Sequence, residues 1–141
     1  MARFAQGFRT TATSNTVFEV IGAANARVRL VEMGLTLTGA TLTPVGLGYA
    51  AAQGITPTTP VTMLTESDNS TTTITTALAW ATPPTIPTYF YRRASLPVGL
   101  GYPIVWTWPV GDGLVLTSGT SLVLWLFAAG STIDGWVACE E

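Results

Sequence analysis

The chain has no histidine, its six basic residues are all arginine, and charged residues make up only 10% of its 141 positions. Without an imidazole there is no Ser-His-Asp or Cys-His site and no histidine-ligated metal. Without lysine there is no Schiff-base chemistry. The single cysteine, Cys139, allows no internal disulfide, and its apolar surroundings predict a buried, inert thiol. A formal charge of −2 and a pI near 4.9 provide no field for nucleic acid or an anionic bilayer. The longest apolar run, from Leu122 to Ala129, is too short to span a membrane. The opening residues lack the apolar segment and cleavage site of a secretory signal, so the chain is expected to be made in the cytoplasm and the Asn69-Ser70-Thr71 glycosylation pattern is idle. Helical periodicity is also missing, because glycine, proline and threonine interrupt every window of a dozen residues.

What is present is apolar: 48% of the chain, with positive mean hydropathy. A domain of this size buries roughly 68–70% of its unfolded surface, enough for a core without staples. Charge that is so scarce leaves the surface dependent on threonine, serine and asparagine, and predicts that part of it is covered by sister subunits or another partner.

Segments rich in Val, Ile, Leu, Thr and Trp recur every eight to fifteen residues and predict about eight strands. They fall near 17–22, 27–38, 45–50, 61–66, 73–81, 88–95, 103–108, the pair 114–117 with 120–128, and 133–139. Proline loops at 56–60 and 83–87 and tight turns at 67–70, 111–113 and 118–119 separate them. Along 27–38 the apolar parity changes from Val28 and Leu30 to Val31, Met33, Leu35 and Leu37, which calls for a bulge near Leu30 to Glu32. The strand at 120–128 is apolar on both faces, Leu122, Leu124 and Leu126 on one, Val123, Trp125 and Phe127 on the other. That pattern requires cover on both sides, by a subunit interface, or by a long loop or the N-terminal arm. The expected fold is all-β: a jelly-roll sandwich of about eight antiparallel strands over 17–141, preceded by an extended N-terminal arm over 1–16.

Few residues have the character of a site. The hexapeptide Pro44-Val45-Gly46-Leu47-Gly48-Tyr49 recurs at 97–102. Its Gly-Leu-Gly lacks the third glycine or lysine and the following helix of a phosphate loop, so it reads as close backbone approach with a tyrosine anchor. Glu66-Ser67-Asp68-Asn69 lacks the ordered spacing of a calcium loop and reads as a turn. Asp112 sits in a Gly-Asp-Gly turn. The cluster Tyr89-Phe90-Tyr91-Arg92-Arg93 has the composition of an interface hot spot, and strand alternation would place Tyr89, Tyr91 and Arg93 on one face.

The stretches Arg27-Val28-Arg29-Leu30-Val31-Glu32-Met33-Gly34, Pro103-Ile104-Val105-Trp106-Thr107-Trp108, Gly113-Leu114-Val115-Leu116 with Ser118-Gly119-Thr120, and Trp136-Val137-Ala138-Cys139-Glu140-Glu141 follow loose patterns without a diagnostic signature. Across most of 27–141 they resemble the jelly-roll, tumour-necrosis-factor-like capsid decoration, or cement, proteins of tailed bacteriophages. The resemblance implies a structural virion protein and not an enzyme: a homotrimer on the outer surface of the capsid, bridging major capsid subunits, with no cofactor, metal or small-molecule substrate. On this expectation Trp106, Trp108, Trp125 and Phe127 serve the core and the trimer. Arg3, Phe4, Phe8 and Arg9, with Arg92 and Arg93, meet the shell. Two other classes stay open: the receptor- or glycan-binding head of a tail fibre or baseplate spike, and a carbohydrate-active enzyme with two converging carboxylates.

Overall fold

The structure is a computed structural model that describes residues 2–24, 27–97, 102–109 and 111–141. The first half of the chain forms β1 (Arg3–Arg9), β2 (Asn15–Ile21), β3 (Val28–Leu37), β4 (Thr43–Tyr49), β5 (Ile55–Pro57), β6 (Val61–Thr65) and β7 (Thr71–Ala77). The second forms β8 (Trp80–Thr82), β9 (Arg92–Leu96), β10 (Ile104–Thr107), β11 (Leu114–Leu116), β12 (Ser121–Leu126) and β13 (Ile133–Glu140). No helix occurs among the described residues.

Eleven strands form one sheet in the order β10-β3-β13-β1-β6-β7-β2-β12-β4-β9, with β11 also beside β3. Every pairing is antiparallel. The β6–β7 hairpin is the fold line: the half ending in β10 turns back over the half ending in β9. Phe8 of β1 and Phe18 of β2 stack across the interior at 3.9 Å between ring centroids. At the open side β9 and β10 approach each other, and the Arg92 guanidinium lies 4.7 Å from the ring centre of Trp108. The result is a nearly closed, barrel-like sandwich.

Its core is one cluster drawn from both halves, including the fully buried Phe4, Phe18, Leu30, Met33, Leu35, Leu47, Met63, Ile74, Leu96, Leu122 and Leu124. Each such side chain contributes about 1.5–3 kcal/mol relative to exposure. The parity change in β3 is a bulge: Ala138 pairs with Glu32 and Cys139 with Leu30, leaving Val31 unpaired against β13. The displaced Val31 carbonyl accepts the Trp108 N–H at 2.9 Å, so the kink fastens the chain just past β10.

Three sequence expectations need correction. There are thirteen described strands rather than about eight, partly because the expected strand over 73–81 divides into β7 and β8, and β8 pairs only with β5 in a separate ribbon. The expected arm over 1–16 is not free: Arg3–Arg9 is a full sheet strand between β13 and β6. Alternation is present there, with Phe4, Gln6 and Phe8 inward; the polar Gln6 is accommodated because its side-chain oxygen accepts the buried Thr76 hydroxyl at 3.0 Å. The strand expected at 88–95 begins only at Arg92, since residues 83–91 cross the outside of β4 and β12. Of the covers the sequence left open for the outer apolar face of β12, the structure has the long loop, the crossing segment of its own chain, with Phe90 edge-on to Phe127 at 4.8 Å between centroids.

Candidate functional site

The glycines of the first hexapeptide permit the loop to lie flat on β4. A Cβ at Gly46 would stand 2.6 Å from the Phe90 ring and 2.8 Å from Phe127, and one at Gly48 would stand 2.3 Å from the Tyr89 carbonyl oxygen. Tyr49 anchors the end of the motif by donating its hydroxyl to the Val115 carbonyl at 2.7 Å, and burial raises its pKa above the ordinary value. In the second hexapeptide Val98, Gly99, Leu100 and Gly101 lie outside the described residues.

Beneath the other end of this cover sits Glu19, a fully buried carboxylate on the outward face of β2. Its two oxygens have different partners: the Gly54 backbone N–H at 3.1 Å and the Trp80 indole N–H at 2.6 Å. A buried charge is tolerated only when hydrogen-bonded, and here the donors come from the segments bearing β5 and β8. Glu19 is thus the latch that holds the β5–β8 ribbon on the sandwich.

The latch shapes a cleft of about 540 Å³ beside it. The cleft is lined by Trp80, Pro83 and Pro84, by Trp125 of β12, and by Thr11, Ser14 and Asn15 among others. No charged residue lines it. Two irregularities of β2 border this space: Asn15 has a left-handed φ of 59°, and the register with β12 shifts so that Val17 lacks a paired partner. The Thr16 hydroxyl donates to the Pro84 carbonyl at 3.2 Å and ties the strand to the loop. The chemistry of such a cleft is stacking and neutral hydrogen bonding.

A second cluster lies along the β9–β10 seam. Tyr89 and Tyr91 meet edge-to-face at 4.9 Å, Tyr91 meets Tyr49 at 5.6 Å, and Arg93 sits 3.9 Å from the ring centre of Phe127. Tyr89 and Tyr102 are about two-thirds exposed, at 66% and 68%, and Val105 of β10 is also exposed. The expected grouping of Tyr89, Tyr91 and Arg93 on one strand face does not hold, because Tyr89 and Tyr91 precede the strand. Arg93 joins Phe90 and Phe127 instead, while Arg92 joins Trp108.

The remaining predicted residues separate by depth. Phe4 and Phe8 are core side chains, so they are not placed to meet a shell. Arg3 and Arg9 of the same strand point outward. Arg9 makes a two-pronged ion pair with Asp134 at 2.6 and 2.7 Å, and Arg3 lies 3.6 Å from Glu32 and 3.4 Å from Glu66. Trp106 is buried in the core and Trp108 packs at its margin. Trp125 is part of the cleft, and Phe127 lies under the loop.

The carboxylates mostly have structural partners. Glu32 accepts the Trp136 indole N–H at 2.7 Å, and Asp68 accepts the Thr65 hydroxyl and the Ser70 N–H in the β6–β7 turn, which lowers its pKa to about 2. Among the described residues no three His, Cys, Asp or Glu side chains gather as metal ligands. The cleft escaped sequence reasoning because residues 11–16, 78–84 and Trp125 are far apart in the chain; the threonine-rich start and the proline run were read separately, as arm and loop. No protein family, curated protein or solved structure matches the chain.

Proposed function

We propose that this chain is a capsid decoration protein of a tailed bacteriophage, a jelly-roll subunit that assembles as a homotrimer on the outer surface of the head and ties neighbouring major capsid subunits together. The jelly-roll reading rests on strand order. Four strands, β2-β12-β4-β9, face another four, β10-β3-β13-β1, while β5 to β8 form an insertion between β4 and β9. The role is structural, without catalysis or cofactor.

The observation that carries the proposal is exposed aromatic and apolar surface on both sides of the β9–β10 seam, Tyr89 and Tyr91 ahead of β9 and Tyr102 and Val105 on the β10 side, on a chain with 10% charge. Tyrosine flanked by arginine is the composition of interface centres. A standard contact removes about 800 Å² per partner, so the two sister contacts of a trimer subunit and one shell contact would cover about a third of the 6694 Å² surface. The seam, with Trp108 and Phe127 beneath its arginines, is assigned to trimer contact. Arg3 and Arg9, on β1 three places along the sheet from β10, are assigned to the shell, with Arg92 and Arg93 at the border.

Light scattering of the purified protein, followed by co-sedimentation with empty and mature capsids, tests this reading. A trimer that pellets stoichiometrically with capsids and raises their melting temperature is expected. A monomer, or a trimer that leaves capsids unbound, overturns it.

A further inference from the structure

We propose that the cleft between Trp80 and Trp125 is a binding site for an uncharged sugar, a hexopyranose either free or within a glycan. The proposal invokes neither the trimer nor the capsid. Its volume, about 540 Å³, lies within the roughly 300–1,000 Å³ of small-molecule sites.

The lining selects the ligand class. A charged ligand would find no counter-charge there and would lose hydration without compensation. A purely apolar ligand would make no use of the polar side chains in the lining, Thr11, Ser14 and Asn15. A pyranose answers both conditions: its C–H face packs on an aromatic plane and its hydroxyls exchange hydrogen bonds with neutral donors and acceptors.

The site is also built to hold its shape. The only donor of the Trp80 side chain is spent on Glu19, so the ring reaches the cleft as a fixed apolar wall. Pro83 and Pro84 restrict the loop behind it, and the Thr16 bond fastens that loop to β2. Left-handed backbone at Asn15 and the irregular register at Val17 occur on the same border; such features gather where side chains are re-aimed toward a ligand. Glu19 is then a positioning residue, acting on the sugar through Trp80.

The test uses the whole protein, titrated with glucose, galactose, N-acetylglucosamine and their methyl glycosides. Tryptophan emission and NMR saturation transfer to the sugar are followed, with glucuronate as the charged control. At least one neutral sugar is expected to bind saturably, on the order of millimolar for a ligand of about a dozen heavy atoms. Ser14→Arg, at an exposed rim position, should weaken binding at least about tenfold with an unchanged melting temperature, and Trp125→Phe should weaken it less. Methyl glycosides that bind as well as the free sugar identify a residue within a glycan; binding of the free sugar alone identifies a monosaccharide ligand. The proposal is overturned if no neutral sugar binds saturably, if glucuronate binds as tightly, or if Ser14→Arg and Trp125→Phe both bind like the wild type.

Discussion

The Trp80 indole N–H and the Glu19 carboxylate are joined at 2.6 Å, and the glutamate is fully buried. This bond connects an outer ribbon to a strand whose other face belongs to the core, so the cover and the sandwich are coupled through Glu19 as well as through the Thr16–Pro84 bond. The other Glu19 oxygen holds the Gly54 N–H, which makes the carboxylate a two-point clamp.

Glu19→Ala should destabilise the fold by about 3 kcal/mol, because two donors lose their acceptor beneath the ribbon. Glu19→Gln, which retains one carbonyl acceptor, should cost less. Chemical denaturation measures both. Limited proteolysis should cut the alanine variant first between residues 51 and 88, and equal protease resistance in wild type and variant would show that the ribbon does not depend on the clamp.

Gly48→Ala places a methyl group against the Tyr89 carbonyl oxygen, which is backbone and cannot rotate aside. The expected cost is about 1–3 kcal/mol. Gly46→Ala meets the Phe90 and Phe127 rings, which have more freedom to turn, so its loss should be the smaller of the two. A thermal-melt comparison that finds the reverse order would contradict this account of the crossing loop.

Acid should weaken the β6–β7 turn in a defined window. The Asp68 carboxyl titrates at about 2 instead of 3.8, chiefly because the Thr65 hydroxyl donates to its ionised form. Its contribution is therefore full above the unfolded value and is lost as pH falls through about 2. Asp134 shifts downward too, through its hydrogen bond from Arg9. The melting-temperature gap between wild type and Asp68→Ala should be constant from pH 7 to 5 and shrink toward pH 2.

Cys139 should resist thiol reagents in the native state. Burial pushes its pKa up to about 12, so thiolate, the reactive form, is scarce at pH 8. The unfolded thiol ionises near 9.0, so this group lowers stability as pH rises from there toward about 12. Labelling at pH 8 should be slow and should accelerate with denaturant in step with unfolding; rapid labelling of the native protein would contradict the buried assignment.

Much of the architecture is legible in the sequence because period-two patterning is strong where both flanking strands are apolar. Val28 to Leu37 reveals even its bulge, since a shift in parity has no other solution in a strand. Arg3–Arg9 was obscured by one residue: Gln6 occupies an inward place, and only its tertiary partner Thr76 makes that place tolerable. Tyr89 and Tyr91 alternate as strand residues do, yet the preceding prolines and the packing of Phe90 hold them in a loop. The cleft has no linear signature, since its lining comes from separated segments. Glu19 looks like any strand glutamate until Gly54 and Trp80 fold over it.

The pairing of β1 with β13 runs from Arg3 opposite Glu140 to Arg9 opposite Asp134 and sits in the interior of the sheet order. Synthesis on the ribosome therefore supplies β1 long before its neighbour exists. Until β13 emerges, β1 can pair only with β6, and β3 lacks the longest ladder it makes. The sandwich must close after translation has passed Glu140, in a late step dominated by distant contacts, and such topologies fold in roughly milliseconds to seconds.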